Sequence, residues 1–316
     1  MTLAASSMKA AGMKVADPSI VRNHPITTWF KIGGGADLYC RPRDAAHMSR
    51  LLQQHPDVRV LGDGANLLID DDGAPGLVVE LAEPEWTRVE IDAKTGLVRV
   101  GAGAKLPQLI HAACRAGLGG LEVLGGIPAT VGGALVMNAG GAFGQIADVV
   151  ARVRGLTREG TPVELTRDQI AFGYRTSGLE SLVLTGADLA LTPSDPSALR
   201  KRLLEIMDYK KNSQPMSANS AGCCFKNPTL TATLEGVGEA GKRVSAGMLI
   251  DRAGLKGLCV GRAHVSQVHA NFLVTDPGAT AANVISLIGE VVRRVRDRFG
   301  VTLTREVVVW SKHEVP

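Results

Sequence analysis

From Gly125 to Gly144 the chain reads Gly-Gly-Ile-Pro-Ala-Thr-Val-Gly-Gly-Ala-Leu-Val-Met-Asn-Ala-Gly-Gly-Ala-Phe-Gly, with no charged residue. A core strand or helix does not tolerate so many glycines, because each loses backbone entropy and offers no side chain to pack. The stretch predicts a backbone surface laid against a large planar or diphosphate-bearing ligand. Packed turns with no ligand are the alternative. A second candidate is Gly62-Asp-Gly-Ala-Asn66, directly after the apolar run Val58–Leu61. A strand that runs into a turn of small residues exposes several backbone N–H groups, and such a concave donor set can hold a phosphate. A simple turn fits this second segment equally well.

Other patterns do not carry chemistry on inspection. Gly236-Val-Gly-Glu-Ala-Gly241 fits the dinucleotide spacing literally, and Lys242 adds a likeness to a phosphate loop. Arg243 stands where a hydroxyl would have to meet magnesium, and no suitable strand and acid flank the motif. It reads as a surface loop before a helix at Ser245–Arg252. The five cysteines (Cys40, Cys114, Cys223, Cys224 and Cys259) include no CxxC, and the seven histidines form no HExxH. No metal site is expected, and the odd cysteine count points to a reducing compartment, the cytoplasm.

These segments must be positioned by ordinary globular elements. The chain has 316 residues, 45% hydrophobic and 21% charged, enough for two or three domains. The net charge of +4 is too small to indicate nucleic acid, and the basic run Arg293–Arg298 fits a solvated helix face. Strand-like runs occur at Ala36–Cys40, Val58–Leu61, Leu77–Leu81, Leu97–Val100, Val149–Leu156 and Val307–Trp310. Helical patterns occupy Ala45–Gln54, Pro107–Ala116, Ser197–Lys211 and a long apolar periodicity from Val284 to Phe299, closed by Gly300. The mixture is α+β, without the regular alternation of a doubly wound sheet. A Pro/Ser/Asp segment, Thr192–Ser197, marks a domain boundary. Residues 1–17 read as a loose leader. No segment reads as a membrane span, since the weakly charged Gly117–Gln145 is too rich in glycine.

In order along the chain, several segments carry a resemblance. They are Thr27-Thr-Trp-Phe-Lys-Ile-Gly-Gly-Gly-Ala-Asp37, Gly62–Leu68, Gly125–Gly144, Phe172-Gly-Tyr-Arg-Thr-Ser177 and Ser220-Ala-Gly-Cys-Cys-Phe-Lys-Asn-Pro228. Ala246–Gly257, His269-Ala-Asn-Phe272 and Arg305-Glu-Val307 complete the set. From about Asn23 onward the chain resembles the UDP-N-acetylenolpyruvoylglucosamine reductase family of peptidoglycan precursor synthesis. The short span between Arg175 and Cys223 resembles the compact subclass, which lacks an extra tyrosine-bearing loop.

The resemblance implies non-covalent FAD in a vanillyl-alcohol-oxidase-like (PCMH-type) domain over residues 18–195, with lobes of about 18–82 and 83–195. A C-terminal α+β domain, residues 196–316, would bind the UDP-sugar, with NADPH as hydride donor and the protein a monomer. The implied flavin contacts are Gly62, Gly64, Ala65, Asn66, Leu67, Gly125, Gly126, Ile127, Pro128, Thr130, Gly132, Gly133, Asn138, Ala139 and Gly140. Substrate would meet Tyr174, Lys226 and Asn227. Arg175 matches the arginine that stabilises the enolate, and Glu306 matches the glutamate that polarises it. Cys223 occupies the position of the proton-donating serine.

Read without the resemblance, Arg175 is a structural ion-pair partner, Glu306 a loop cap and Cys223 half of a buried cysteine pair. The departures are Cys223 for serine, Ala129 for glycine, Ala65 for serine and the apolar Leu258-Cys259. A free thiol has a pKa near ~8.5, so it can donate a proton but loses that ability as a thiolate. Two other readings remain at this level: a flavin oxidase of a sugar or alcohol on the same domain, and a flavin-binding module without catalysis.

Overall fold

A computed structural model describes residues 17–313. The leader expected over residues 1–17 lies outside this range except for Asp17, whose carboxylate oxygen is 2.9 Å from His47 Nε2. Two sheets organise the first two thirds. The first is four-stranded, in the order Val21–His24, Ala36–Cys40, Ala74–Glu80, Arg59–Leu61. The second is five-stranded and antiparallel throughout, in the order Pro162–Thr166, Val150–Leu156, Val183–Ala190, Leu97–Gly101, Val89–Asp92. Five of the six apolar runs anticipated from sequence fall on these strands within a few residues, and the sixth falls on the separate strand Val308–Trp310. Val183–Ala190 was not among them, although it lies at the centre of its sheet. Its alternation is broken by Gly186 and by Asp188, which is 7% exposed and pairs with Arg154 at 2.7 Å.

Helices close the core between the sheets. Ala45–Gln54 begins where the Asp44 side chain accepts from His47 N at 2.7 Å, and it buries Met48, Leu51 and Leu52 on one face. Leu106–Arg115 has Pro107 in its first turn and buries Leu106, Leu109, Ile110 and Ala113. Trp86 joins the same core at 2% exposure and donates from Nε1 to Pro42 O at 2.6 Å. Trp86→Ala is expected to destabilise the fold by about 3–5 kcal/mol through the cavity it leaves. Urea unfolding checks this; a midpoint equal to that of the unsubstituted protein would show that the site collapses around the void. Close approach between the two sheets depends on Gly103, where a Cβ would come within 1.7 Å of Leu81 O.

The helix expected over Ser197–Lys211 spans Pro196–Ser213, and its Leu199 and Leu203 are buried in the first core. Its apolar face complements the Leu106–Arg115 helix and the turn at Glu122–Leu124, which sequence periodicity cannot reveal. The glycine stretch was expected to exclude helix, but Val131–Val136 is one. Thr130 caps it by accepting from Gly133 N at 3.2 Å, and Gly132 lets it lie against Ala102.

The C-terminal core gathers around Ala246–Arg252, Ala281–Phe299 and a three-stranded sheet of Cys259–Val260, Ala263–Val265 and Leu273–Thr275. It is clasped to the first sheet region at several points. Val308–Trp310 pairs in parallel with Leu67–Ile69. Phe30 and Leu68 are buried in the C-terminal core, and Asp71 caps the long helix by accepting from Ala281 N and Ala282 N at 2.8 and 3.0 Å. That helix ends at Gly300, in the left-handed region at φ 68. Among the described residues no helix is long and apolar enough to cross a membrane.

Candidate active site

A cavity of about 970 Å³ runs between the sheets and the C-terminal part. One wall is the loop that leaves the Arg59–Leu61 strand. Its backbone N–H groups at Asp63, Gly64, Ala65 and Asn66 donate to no protein acceptor among the described residues. Four consecutive unpaired donors facing a cavity form the concave set that suits a phosphate. The loop is pinned by two side chains that also line the cavity. Trp29 N donates to Gly64 O at 3.1 Å, Trp29 Nε1 to Asp63 at 3.1 Å, and Lys105 Nζ to Asp63 at 2.6 Å.

The glycine stretch lines the same cavity beside this loop. A Cβ added at Gly62 would come within 3.0 Å of Thr130 Oγ1, so bare backbone lets the two segments approach closely. Free donors and a narrow, uncharged cradle fit a flavin with its diphosphate. Of the residues expected to contact flavin, Gly62, Gly64, Ala65, Asn66, Leu67, Gly126, Ile127, Pro128, Thr130, Gly132, Gly133, Ala139 and Gly140 line the cavity. Gly125 and Asn138 do not. Gly125 backs onto Leu203 and Ile206.

Asn138 is 1% exposed and fully engaged. Its amide donates to Gln145 and to Gly173 O at 2.9 and 2.8 Å, and its oxygen accepts from Ala147 N at 3.3 Å. It thereby anchors a tight hairpin, in which Gly173 and Thr176 pair and Tyr174 and Arg175 form the tip. Arg175 has φ 56, a strained left-handed conformation for a residue with a Cβ.

The hairpin aims Arg175 at Glu306, with Nε 2.6 Å from Oε1. The two charges are in contact, yet Nε has no aligned hydrogen-bond acceptor and is buried. Glu306 is placed by its neighbours: its N–H donates to Cys224 O at 2.8 Å, and its carbonyl accepts from Asn66 Nδ2 at 3.1 Å. The flavin-loop candidate and the glutamate are therefore tied directly. Cys223 lies on the same cavity wall, held by bridging to Phe272 and by Cys224 N donating to Asn271 O at 2.7 Å. Three distant parts of the sequence thus converge.

Burial governs the site's electrostatics. It pushes the Cys223 thiol up to about 12, and the nearby Glu306 carboxylate adds to the effect. Burial also raises Glu306, against the opposing pull of Arg175. The thiol is therefore held protonated beside a carboxylate and a guanidinium.

Tyr174, Lys226 and Asn227 stand behind this wall rather than on it. Lys226 Nζ lies 3.4 Å from Arg175 O, and Asn227 N donates to Tyr174 Oη at 3.2 Å. The Asn227 side chain caps the Ala246–Arg252 helix region by accepting from Ala246 N at 2.9 Å. Arg243 stacks 4.0 Å from the centre of the Tyr174 ring.

Sequence reasoning assigned no role to Trp29, Lys105, Lys210 or Phe272, all of which line the cavity. Trp29 and Phe272 lay inside resembling segments, which was the only available signal. Lys210 gave none, since Lys210-Lys211 reads as a polar helix face. The loop at Gly236–Gly241 is away from the cavity, with its two outer glycines in open space. Among the described residues no cluster of His, Cys, Asp and Glu could hold a metal ion.

Comparison with known proteins gives consistent matches. A family model described as FAD binding domain matches residues 36–166. Another, described as UDP-N-acetylenolpyruvoylglucosamine reductase, C-terminal domain, matches residues 214–310. The chain is 40% identical over 306 residues to UDP-N-acetylenolpyruvoylglucosamine reductase 2 of Symbiobacterium thermophilum, covering 94% of each. It is 36% identical to the reductase of a Bradyrhizobium strain, covering 89% of this chain and 88% of that one. The crystal structure of UDP-N-acetylenolpyruvylglucosamine reductase from Thermus caldophilus superposes with a TM-score of 0.74 at 39% identity. That match covers 90% of this chain and 96% of the other.

Proposed function

This chain belongs to the UDP-N-acetylenolpyruvoylglucosamine reductase family, and on that premise we propose that it converts UDP-N-acetylglucosamine enolpyruvate to UDP-N-acetylmuramate, with FAD bound in the cavity and NADPH as hydride donor. The observation that carries the reading is the convergence of Arg175, Cys223 and Glu306 on the cavity shared with the loop 62–67. The flavin-oxidase reading loses its ground, because relatives matched over nearly the full length are named as reductases.

Bound FAD would supply hydride transfer, accepting from NADPH and delivering to the terminal carbon of the enolpyruvyl group. The protein's part is positioning and polarisation. Negative charge then develops toward the substrate carboxylate, where the guanidinium of Arg175, fixed by Glu306, offers a preorganised cation. Glu306 holds the guanidinium in place and polarises the same region. Cys223 Sγ–H gives its proton to the carbon next to the carboxylate, and its high pKa keeps that proton available. Lys226, Asn227, Tyr174 and Arg243 form a second layer that reaches toward the UDP-sugar. Residues 18–195, with the helix packed on their core, would hold FAD, and the following C-terminal part would cover it. The protein would act as a monomer in the cytoplasm.

An absorbance spectrum of the purified protein tests this reading. A flavin band should bleach anaerobically with NADPH and recover on adding UDP-N-acetylglucosamine enolpyruvate. A bleached band that recovers only with oxygen would reject the reductase assignment.

A further inference from the structure

Lys210 lies in the last turn of the Pro196–Ser213 helix and is 9% exposed, although its neighbour Lys211 projects into solvent. Its side chain lines the cavity against the glycine stretch. A Cβ built at Gly126 would meet Lys210 Cδ at 3.0 Å and Nζ at 3.7 Å. No carboxylate pairs with it among the described residues. Of the other cations lining the cavity, Arg175 pairs with Glu306, Lys105 with Asp63, Arg59 and Arg158 donate to backbone carbonyls, and Arg115 is exposed to solvent.

A buried ammonium without a partner is costly unless something compensates for it. The helix C-terminus favours a cation in its last turn, but exposed Lys211 already supplies one without desolvation. The charged neighbours facing Lys210 are Arg175, which repels it, and Cys223, a neutral thiol. The site around it is therefore one positive charge in excess. We propose that Lys210 is the counter-cation for a planar, delocalised anion that a ligand brings into the cavity. Two groups of the reaction have that chemistry: the reduced flavin ring and the carboxylate of the enolpyruvyl group. Burial, aided by Arg175, lowers the lysine pKa to about 8, so the ammonium form still predominates at neutral pH. The inference rests on the reductase reading for the identity of its ligands.

The test uses FAD-loaded protein with Lys210→Met and Lys210→Arg. Removing a buried unpaired charge should leave the fold intact, and Lys210→Gln serves if the methionine variant does not fold. If the anion is the flavin, the methionine variant should shift the two-electron reduction equilibrium at least tenfold toward oxidised, about 30 mV in midpoint potential. If the anion is the carboxylate, the potential should stay fixed. The Kd of the oxidised protein for UDP-N-acetylglucosamine enolpyruvate should then rise about tenfold, since that factor is about 1.4 kcal/mol. In either case arginine should restore most of the effect. Unchanged potential and unchanged Kd together would overturn the role. The potential is measured without substrate, so this arm stands apart from the reductase reading, whose own failure shows as flavin that the sugar cannot reoxidise in the unsubstituted protein.

Discussion

Arg175→Ala should slow reoxidation of the reduced flavin by the enolpyruvyl sugar about 10²–10³-fold, the range seen when one fixed donor to developing negative charge is removed. Reduction by NADPH should change little, because no charge develops on the substrate carboxylate in that step. Two features of the structure make the effect large. The guanidinium is preorganised: Asn138 anchors its hairpin, and its backbone is held at φ 56. Its loss also leaves Glu306 buried with no cation in contact, only the Lys226 charge nearby, and burial already raises that carboxyl above the ordinary range. Glu306 would then take up a proton more readily and stop polarising the site. Arg175→Lys should recover only part of the rate, since a single ammonium cannot both pair with Glu306 and reach the substrate as a planar fork does. Stopped-flow absorbance resolves the two half-reactions. Equal slowing of both would show that Arg175 serves folding or flavin binding rather than the substrate's charge.

Cys223→Ala should slow the same half-reaction by about 10²–10⁴-fold, as expected on removing a general acid, while Cys223→Ser stays active. The pH profile separates this role from simple packing. The donor form is the protonated thiol. A thiol of ordinary pKa, near ~8.5, would lose that form across mildly alkaline pH. Here burial and Glu306 raise it to about 12, so the rate should not fall through pH 8–10 on account of Cys223. The same shift has a stability consequence of definite sign. The unfolded thiol ionises near 9.0 and the folded one only near 12. The stability this group contributes is therefore present below pH 9 and lost as pH rises toward 12. Alkylation at pH 8, mapped by peptide mass, should reach exposed Cys259 well before Cys223. Rapid modification of Cys223 together with an alkaline fall near pH 8.5 would show that the thiol ionises readily and is not shielded.

Much of this was legible in residue order. The helix at Ala45–Gln54 was read to the residue, because a capping Asp and an apolar face are local signals. The long C-terminal helix and its closing Gly300 were read for the same reason. Most residues proposed for the flavin line the cavity, since a small-residue turn after a strand and a run of glycines each impose their geometry within a few positions. For Asn138 the structure adds a hairpin-anchoring role, and nothing local distinguishes an amide that meets a ligand from one that secures a hairpin. The strand Val183–Ala190 was missed, because Asp188 is tolerated at the centre of a sheet only once Arg154 arrives from the neighbouring strand.

By itself, then, the sequence determined the turns, caps and faces, and hence which backbone could approach a ligand. Its ordered segments also determined the family. The tertiary structure decided the charges. Only folding brings Arg175 within 2.6 Å of Glu306 and removes the Cys223 thiol and the Lys210 ammonium from water. Turn and cap chemistry acts between near neighbours in the chain, whereas desolvation and charge pairing depend on what the rest of the chain packs around each group.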